Sequence, residues 1–209
     1  LDIKIFLSLM LERVKSKKFS YQISNEWNDN LSSLKYYNYD HTLKNIKTDN
    51  LKLINQYVFM DYLSSILCAS DKLVVDGGGT NVYISFQGFK NKIDQRMILS
   101  TGLCSMGSGI PEAIGVLSSN NSGNVYCVVG DGSFYLNIQE LKTIFENNLK
   151  LKIIIFNNGG YLSIKETQRE FLDENYIGVS NDDVTNIEKV VNGFGLKYMS
   201  LKSSENAKK

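Results

Sequence analysis

Cysteine is scarce: Cys68, Cys104 and Cys127 are the three in 209 residues. They are odd in number and widely spaced, and no two form a C-x-x-C pair. That argues against a zinc site, a thioredoxin motif and a disulfide framework. It fits a reducing compartment, the cytoplasm. Charge of one sign is also lacking. Lys and Arg number 23 and Asp and Glu 22, a formal charge of +1. There is thus no electrostatic case for a nucleic-acid or acidic-membrane partner. No long apolar run exists. The longest near the N-terminus, residues 5–11, falls short of the roughly 20 residues that a bilayer span needs. It also lacks the basic flank and small-residue cleavage site of a signal peptide. Proline occurs once, as Pro111, and histidine once, as His41. His41 stands in a polar stretch and reads as surface. The chain starts with Leu, not Met, and reads as a piece of something longer.

What is present is ordinary globular composition, 43% apolar and 22% charged, enough for one good core or one domain with part of another. Residues 2–14 place Ile5, Phe6, Leu9 and Val14 near one face of a core-facing helix. Residues 15–50 are polar and without period. They read as a connection between domains with one more short helix, and Trp27 falls in it. From Leu51 the pattern sharpens into a helix carrying Leu53, Ile54, Tyr57, Val58, Leu63, Ile66 and Leu67. Strands are predicted at 72–76, 96–100, 124–129, 151–156 and 196–201. Helices are predicted at 107–119, 133–147 (Phe134, Ile138, Leu141 and Phe145 on one face) and 184–192. Strands alternating with helices mean crossover connections, and runs such as VYCVV and IIIF suit strands covered on both faces. The predicted fold is α/β, a doubly wound parallel sheet over residues 51–209, with residues 1–50 outside it.

Three strands end in unusual residues: Asp76-Gly77-Gly78-Gly79, Gly130-Asp131-Gly132 and Asn157-Asn158-Gly159-Gly160. Ligands of open parallel sheets bind just beyond the carboxyl ends of the strands. After Asp131 a helix of about 14 residues runs back about 21 Å, and a strand of about six residues returns about 20 Å. Asn158 therefore comes back to the edge that Asp131 left. If the two strands are neighbours, about 4.8 Å apart, a carboxylate and an amide oxygen can share a hard cation such as Mg²⁺, with a diphosphate supplying the remaining charge. Gly132 lets the backbone approach, and Ser133 opens a helix whose N–H groups favour an anion. Each motif alone reads as a tight turn; together, at strand ends and with matching lengths, they read as a site.

Gly130-Asp131-Gly132, 24 residues, then Asn157-Asn158 resembles the thiamine diphosphate binding motif. The segments STGLCSMGSGIPEAIGV (100–116), GDGSFYLNIQELKTI (130–144) and DGGGTNVYISFQ (76–87) are similar to acetolactate synthases, the last to their diphosphate-facing loop. The resemblance covers most of 70–180, and residues 1–20 resemble the last helix of the preceding central domain. It implies that Asp131, the Asn158 side chain and the Gly160 carbonyl hold Mg²⁺. Gly78, Gly79, Thr80, Gly132, Ser133 and Tyr161 would line the cofactor. Met106 would prop thiamine diphosphate in its bent form, and the carbonyl of Cys104, where the synthases usually have Gly, would accept from the aminopyrimidine. The cofactor carries the hard chemistry: decarboxylation of a 2-oxo acid, here pyruvate, then ligation to a second carbonyl.

The resemblance also implies partners. The activating Glu lies on an N-terminal pyrimidine-binding domain, normally of the other subunit, which this chain does not contain. The intact protein would be a homodimer or homotetramer, with FAD another candidate cofactor on its central domain. At the acceptor pocket the sequence departs from the synthases: Ser163, Ile164 and Thr167 stand where they tend to have Met, Val and, slightly later, Trp. Simple pyruvate decarboxylases place a Glu where Ile164 stands. Alternatives are a related decarboxylase or carboligase of another pathway, and a non-catalytic flavodoxin-like module binding Mg²⁺ and a nucleotide.

Overall fold

The computed structural model describes residues 2–16, 24–34, 54–100, 102–119, 122–180 and 186–201. The chain divides into two compact units, Leu1–Lys47 and Thr48–Lys209. In the first, α1 (Ile3–Ser16) and α2 (Asn25–Leu34) are helical. The expectation of a core-facing helix at 2–14 is corrected here: α1 has no buried residue, and Ile5, Phe6, Leu9 and Val14 are all exposed. A helix buries an apolar stripe only where a partner covers it, and the stripe of α1 stays exposed. Trp27 is exposed on α2; His41 lies outside the described residues.

The second unit starts with α3 (Gln56–Ile66), whose first turn is capped by Asn55: its side chain accepts the N–H groups of Tyr57 and Val58 at 2.9 and 3.2 Å. Then follow β1 (Lys72–Val75), α4 (Gly79–Gly88), β2 (Arg96–Ile98), α5 (Gly109–Ser118), β3 (Val125–Gly130), α6 (Asp131–Leu136), α7 (Glu140–Glu146), β4 (Leu151–Phe156), α8 (Leu162–Phe171) and α9 (Ile187–Gly193). The four strands form one sheet in the order β2-β1-β3-β4, every pair parallel.

Side chains alternate between the sheet's faces, and each face has its own core. Val74, Val125, Cys127 and Val129 pack with Ile110 and Ala113 of α5, Phe134 of α6, Leu141 and Ile144 of α7 and Val191 of α9. Leu73, Val75, Val128 and Phe156 pack with Met60 and Leu63 of α3 and Ile84 of α4. Helices on both faces of a parallel sheet make the fold doubly wound. The chain runs from β1 out to β2, then back past β1 to β3, so its direction reverses between β1 and β3. That reversal is where open sheets of this kind leave a crevice.

Several predicted elements differ. The single helix at 133–147 is two, because Asn137 leaves the helix and its Nδ2 donates to the carbonyl of Gly107 at 2.8 Å; Phe145 ends up exposed. Two helices, α4 and α8, were not predicted. Residues 196–201 form no strand, since no ladder partner meets them among the described residues, although Leu196 packs against the core. No described helix is long and apolar enough to cross a membrane.

Candidate functional site

The carboxyl ends of β1, β3 and β4 open into one cleft, about 350 Å³ of space continuous with solvent. Gly78, Gly79, Thr80 and Asn81 line it from the turn after β1 and the start of α4. Gly130, Asp131, Gly132 and Ser133 line it from the end of β3, and Asn158, Gly160 and Tyr161 from the loop after β4. Met106, Leu162, Ser163 and Ile164 complete the wall. Ten of the eleven predicted site residues are thus brought together. Cys104 is not among the lining residues. Thr167 faces back along α8, its Oγ1 donating to the carbonyl of Ser163 at 3.1 Å.

Two buried carboxylates organise the cleft, each at a strand end and each wrapped by backbone N–H groups. Asp76 Oδ1 accepts from Gly78 at 3.1 Å, and its Oδ2 from Gly107 and Gly109 at 2.8 and 2.9 Å. It ties the loop after β1 to the start of α5. Asp131 Oδ1 accepts from Gly132 at 2.8 Å, and its Oδ2 from Gly159 and Gly160 at 2.9 Å each. It ties β3 to the loop after β4. A carboxylate accepts about four hydrogen bonds, so Asp131 keeps capacity on Oδ1, where Asn158 meets it. The inner atom of the Asn158 amide lies 3.3 Å from Asp131 Oδ1 and 2.8 Å from the carbonyl oxygen of Gly160. With nitrogen inward the amide donates to both. With oxygen inward three oxygens converge, an arrangement that a bound cation would stabilise. One carboxylate, one amide and one carbonyl suit Mg²⁺, which takes few protein ligands and keeps water and phosphate for its other positions. Among the described residues no group of three or more His, Cys, Asp or Glu offers a softer metal a site.

Glycines set the clearances. A Cβ on Gly132 would lie inside contact distance of the Tyr161 ring, so the ring packs directly on the backbone there. A Cβ on Gly77 would collide with the backbone of Cys104 and Ser105. Cys104 itself has φ +47°, the left-handed region that favours glycine. Its thiol is exposed. The buried thiol of Cys127 is pushed up by burial, then by the Asp76 and Glu112 carboxylates, and so stays protonated. The Tyr135 hydroxyl is likewise raised by burial, then by Asp131 and Tyr198.

Residues 77–209, well over half the chain, match the family described as thiamine pyrophosphate enzyme, C-terminal TPP binding domain. The chain belongs to the thiamine diphosphate enzymes. It is 35% identical over 109 residues to the acetolactate synthase of Arthrospira platensis, covering 52% of this chain and 19% of that protein. It is 34% identical over 139 residues to the acetolactate synthase large subunit of Porphyra purpurea, covering 66% and 23%. Against the large subunit of Buchnera aphidicola it is 28% identical over 204 residues, covering 98% and 34%. The chain thus spans about a fifth to a third of the length of these relatives. Membership in the thiamine diphosphate family removes the case for a flavodoxin-like nucleotide module. Asn81 and Leu162 are lining residues that the sequence did not single out, and Ser163 is one it gave no cofactor role. Asn81 follows a glycine run read as loop, and Ser163 was weighed only as a substitution at the acceptor pocket.

Proposed function

We propose that this chain is the cofactor-binding part of an acetolactate synthase-like enzyme that decarboxylates pyruvate and ligates the two-carbon unit to a second carbonyl. The observation that carries the reading is the convergence of Asp131 Oδ1, the Asn158 amide and the Gly160 carbonyl beside a glycine-lined cleft. Those three would hold Mg²⁺. The N–H groups and side chains of Gly78, Gly79, Thr80, Gly132 and Ser133 would bind the diphosphate, Tyr161 would wall it, and Met106 would support the bent cofactor. Cys104 would offer its backbone carbonyl to the aminopyrimidine, held in place by the close approach of Gly77. Bound thiamine diphosphate supplies a carbon nucleophile and an electron sink for loss of CO₂ from a 2-oxo acid.

Among the described residues, Asp131 is the one carboxylate lining the cleft, and it already accepts three N–H groups. The acid that activates the cofactor would therefore come from a pyrimidine-binding domain of the same or a partner subunit, in a homodimer or homotetramer. Residues 1–50 would be the end of a central domain and a linker, and FAD is a candidate second cofactor of the intact protein. The cysteine pattern supports a cytoplasmic setting. Ile164, an apolar side chain at the mouth of the cleft, supports ligation over protonation and aldehyde release.

The test is isothermal titration of the 209-residue chain with thiamine diphosphate, with Mg²⁺ and with EDTA. Binding is expected only with Mg²⁺, together with no pyruvate consumption by the chain alone. Metal-independent binding, or turnover without an added partner, refutes this reading. A related carboligase of another pathway is distinguished by product analysis with candidate acceptors.

A further inference from the structure

We propose that Gln168 is a positioning residue for the loop after β4, an inference that rests on the reading of the cleft given above. Gln168 lies on α8, and its side chain makes two hydrogen bonds to one backbone residue. Nε2 donates to the Ile177 carbonyl and Oε1 accepts the Ile177 N–H, each at 3.1 Å. One planar amide thus engages both polar backbone groups of Ile177, as a neighbouring strand would. One turn earlier on the same side of α8, the Lys165 ammonium stands 5.4 Å from the centre of the Tyr176 ring. Residues 172–180 are thereby strapped along the helix.

The strap has little burial to hold it. Residues 172–178 are exposed, and Val179 is its one buried side chain. Asp173 and Glu174 take positive φ, +48° and +60°, a backbone region that is costly for L residues. A strap that turns back at that cost keeps its course only if it is fastened. Its far end meets the cleft. The Val179 carbonyl accepts the Tyr161 N–H at 3.0 Å, and Ser180 pairs with Gly160 in an antiparallel bridge. Gly160 and Tyr161 both line the cleft. Asp131 holds Gly160 from one side, and the strap holds it from the other. Ile177 precedes Val179 by two residues, a reach of about 7 Å at most, so releasing the clamp frees the bridge as well. Gln168 is not among the lining residues and acts through the strap. It fixes where the Gly160 carbonyl and the Tyr161 ring stand when Mg²⁺ and a diphosphate bind.

The experiment compares wild type with Gln168→Met, Gln168→Ala and Gln168→Glu in the 209-residue chain. Methionine and alanine are good helix formers that make neither bond. Glutamate still accepts the Ile177 N–H but sets an oxygen against the carbonyl. Each chain is titrated calorimetrically with thiamine diphosphate in excess Mg²⁺. Thermal unfolding and hydrogen exchange of the Tyr161 amide, the latter by NMR, are recorded without ligand. In Gln168→Met and Gln168→Ala the Tyr161 amide should exchange at least tenfold faster and the cofactor should bind at least fivefold more weakly. Gln168→Glu should fall between these and wild type. Melting temperatures should not change, because α8 buries nothing. Unchanged Tyr161 exchange, or affinities within twofold of wild type, overturns the inference alone. So does weaker binding that tracks a lower melting temperature in all three variants, which reduces Gln168 to structural support. A wild-type chain that does not bind thiamine diphosphate overturns the functional reading and this inference together.

Discussion

Asp131 Oδ2 accepts the backbone N–H of Gly160 at 2.9 Å, across 29 positions of sequence. Gly159 donates to the same oxygen, and both glycines have positive φ, +83° and +125°. That backbone turns two successive N–H groups inward, so the carboxylate holds the loop after β4 in place as well as facing the proposed metal. Asp131→Ala should cost about 2–3 kcal/mol, the penalty for stranding buried donors, and abolish Mg²⁺-dependent cofactor binding. Asp131→Asn keeps an acceptor and should fold better, but still lose the metal. Urea unfolding and calorimetry separate the two effects, and wild-type cofactor affinity in Asp131→Asn would remove Asp131 from the metal site.

Gly132 and Tyr161 are coupled by direct packing. Gly132→Ala should destabilise by roughly 1–3 kcal/mol through overpacking, because the new methyl meets ring carbons Cδ1 and Cζ at 2.9 Å. Truncating the ring in Gly132→Ala/Tyr161→Ala should recover most of that loss. A double-mutant cycle with a coupling energy near zero would show that the ring moves aside freely.

Cys104 occupies left-handed backbone. Cys104→Gly should relieve a penalty of about 1–2 kcal/mol for an L residue, less about 0.5–1 kcal/mol for glycine's greater freedom when unfolded. The net gain should raise the melting temperature slightly and leave cofactor affinity unchanged, since only the carbonyl is asked to act. A fall in affinity would give the side chain a role that the backbone account denies it.

Asp71 provides an acid-sensitive lock at the other end of the sheet. Burial works to raise its carboxyl, but the backbone N–H groups of Asn124 and Cys68, the Asn124 side chain and the Lys152 charge together hold it below the usual value. A depressed carboxylate contributes stability above its unfolded pKa and loses it as pH falls through the folded one. Asp71→Asn should therefore destabilise by roughly 1–3 kcal/mol at pH 7, and the gap to wild type should close below about pH 4. Denaturation at both pH values checks this; a gap independent of pH would mean that the charge contributes nothing.

The strands and the motif were legible along the chain for a local reason. A parallel strand covered on both faces has no polar side, so β1, β3 and β4 stand out as short apolar runs stopped by Gly, Asp or Asn. Helix α4 was invisible for the converse reason. Its buried residues, Asn81, Ile84, Ser85 and Gly88, have helical spacing, but only one of them is apolar. Helix α8 buries nothing and so leaves no stripe to read. The break at Asn137 depends on Gly107, 30 residues away, and residues 196–201 had strand composition without a strand's partner. Composition and spacing along the chain were enough to mark three strand ends as candidates, and the fold brings them to one cleft. That β1 and β3 lie side by side, and that Asn81 is trapped between them, was decided by tertiary structure, because the hydrogen bonds that order a parallel sheet join segments far apart in sequence.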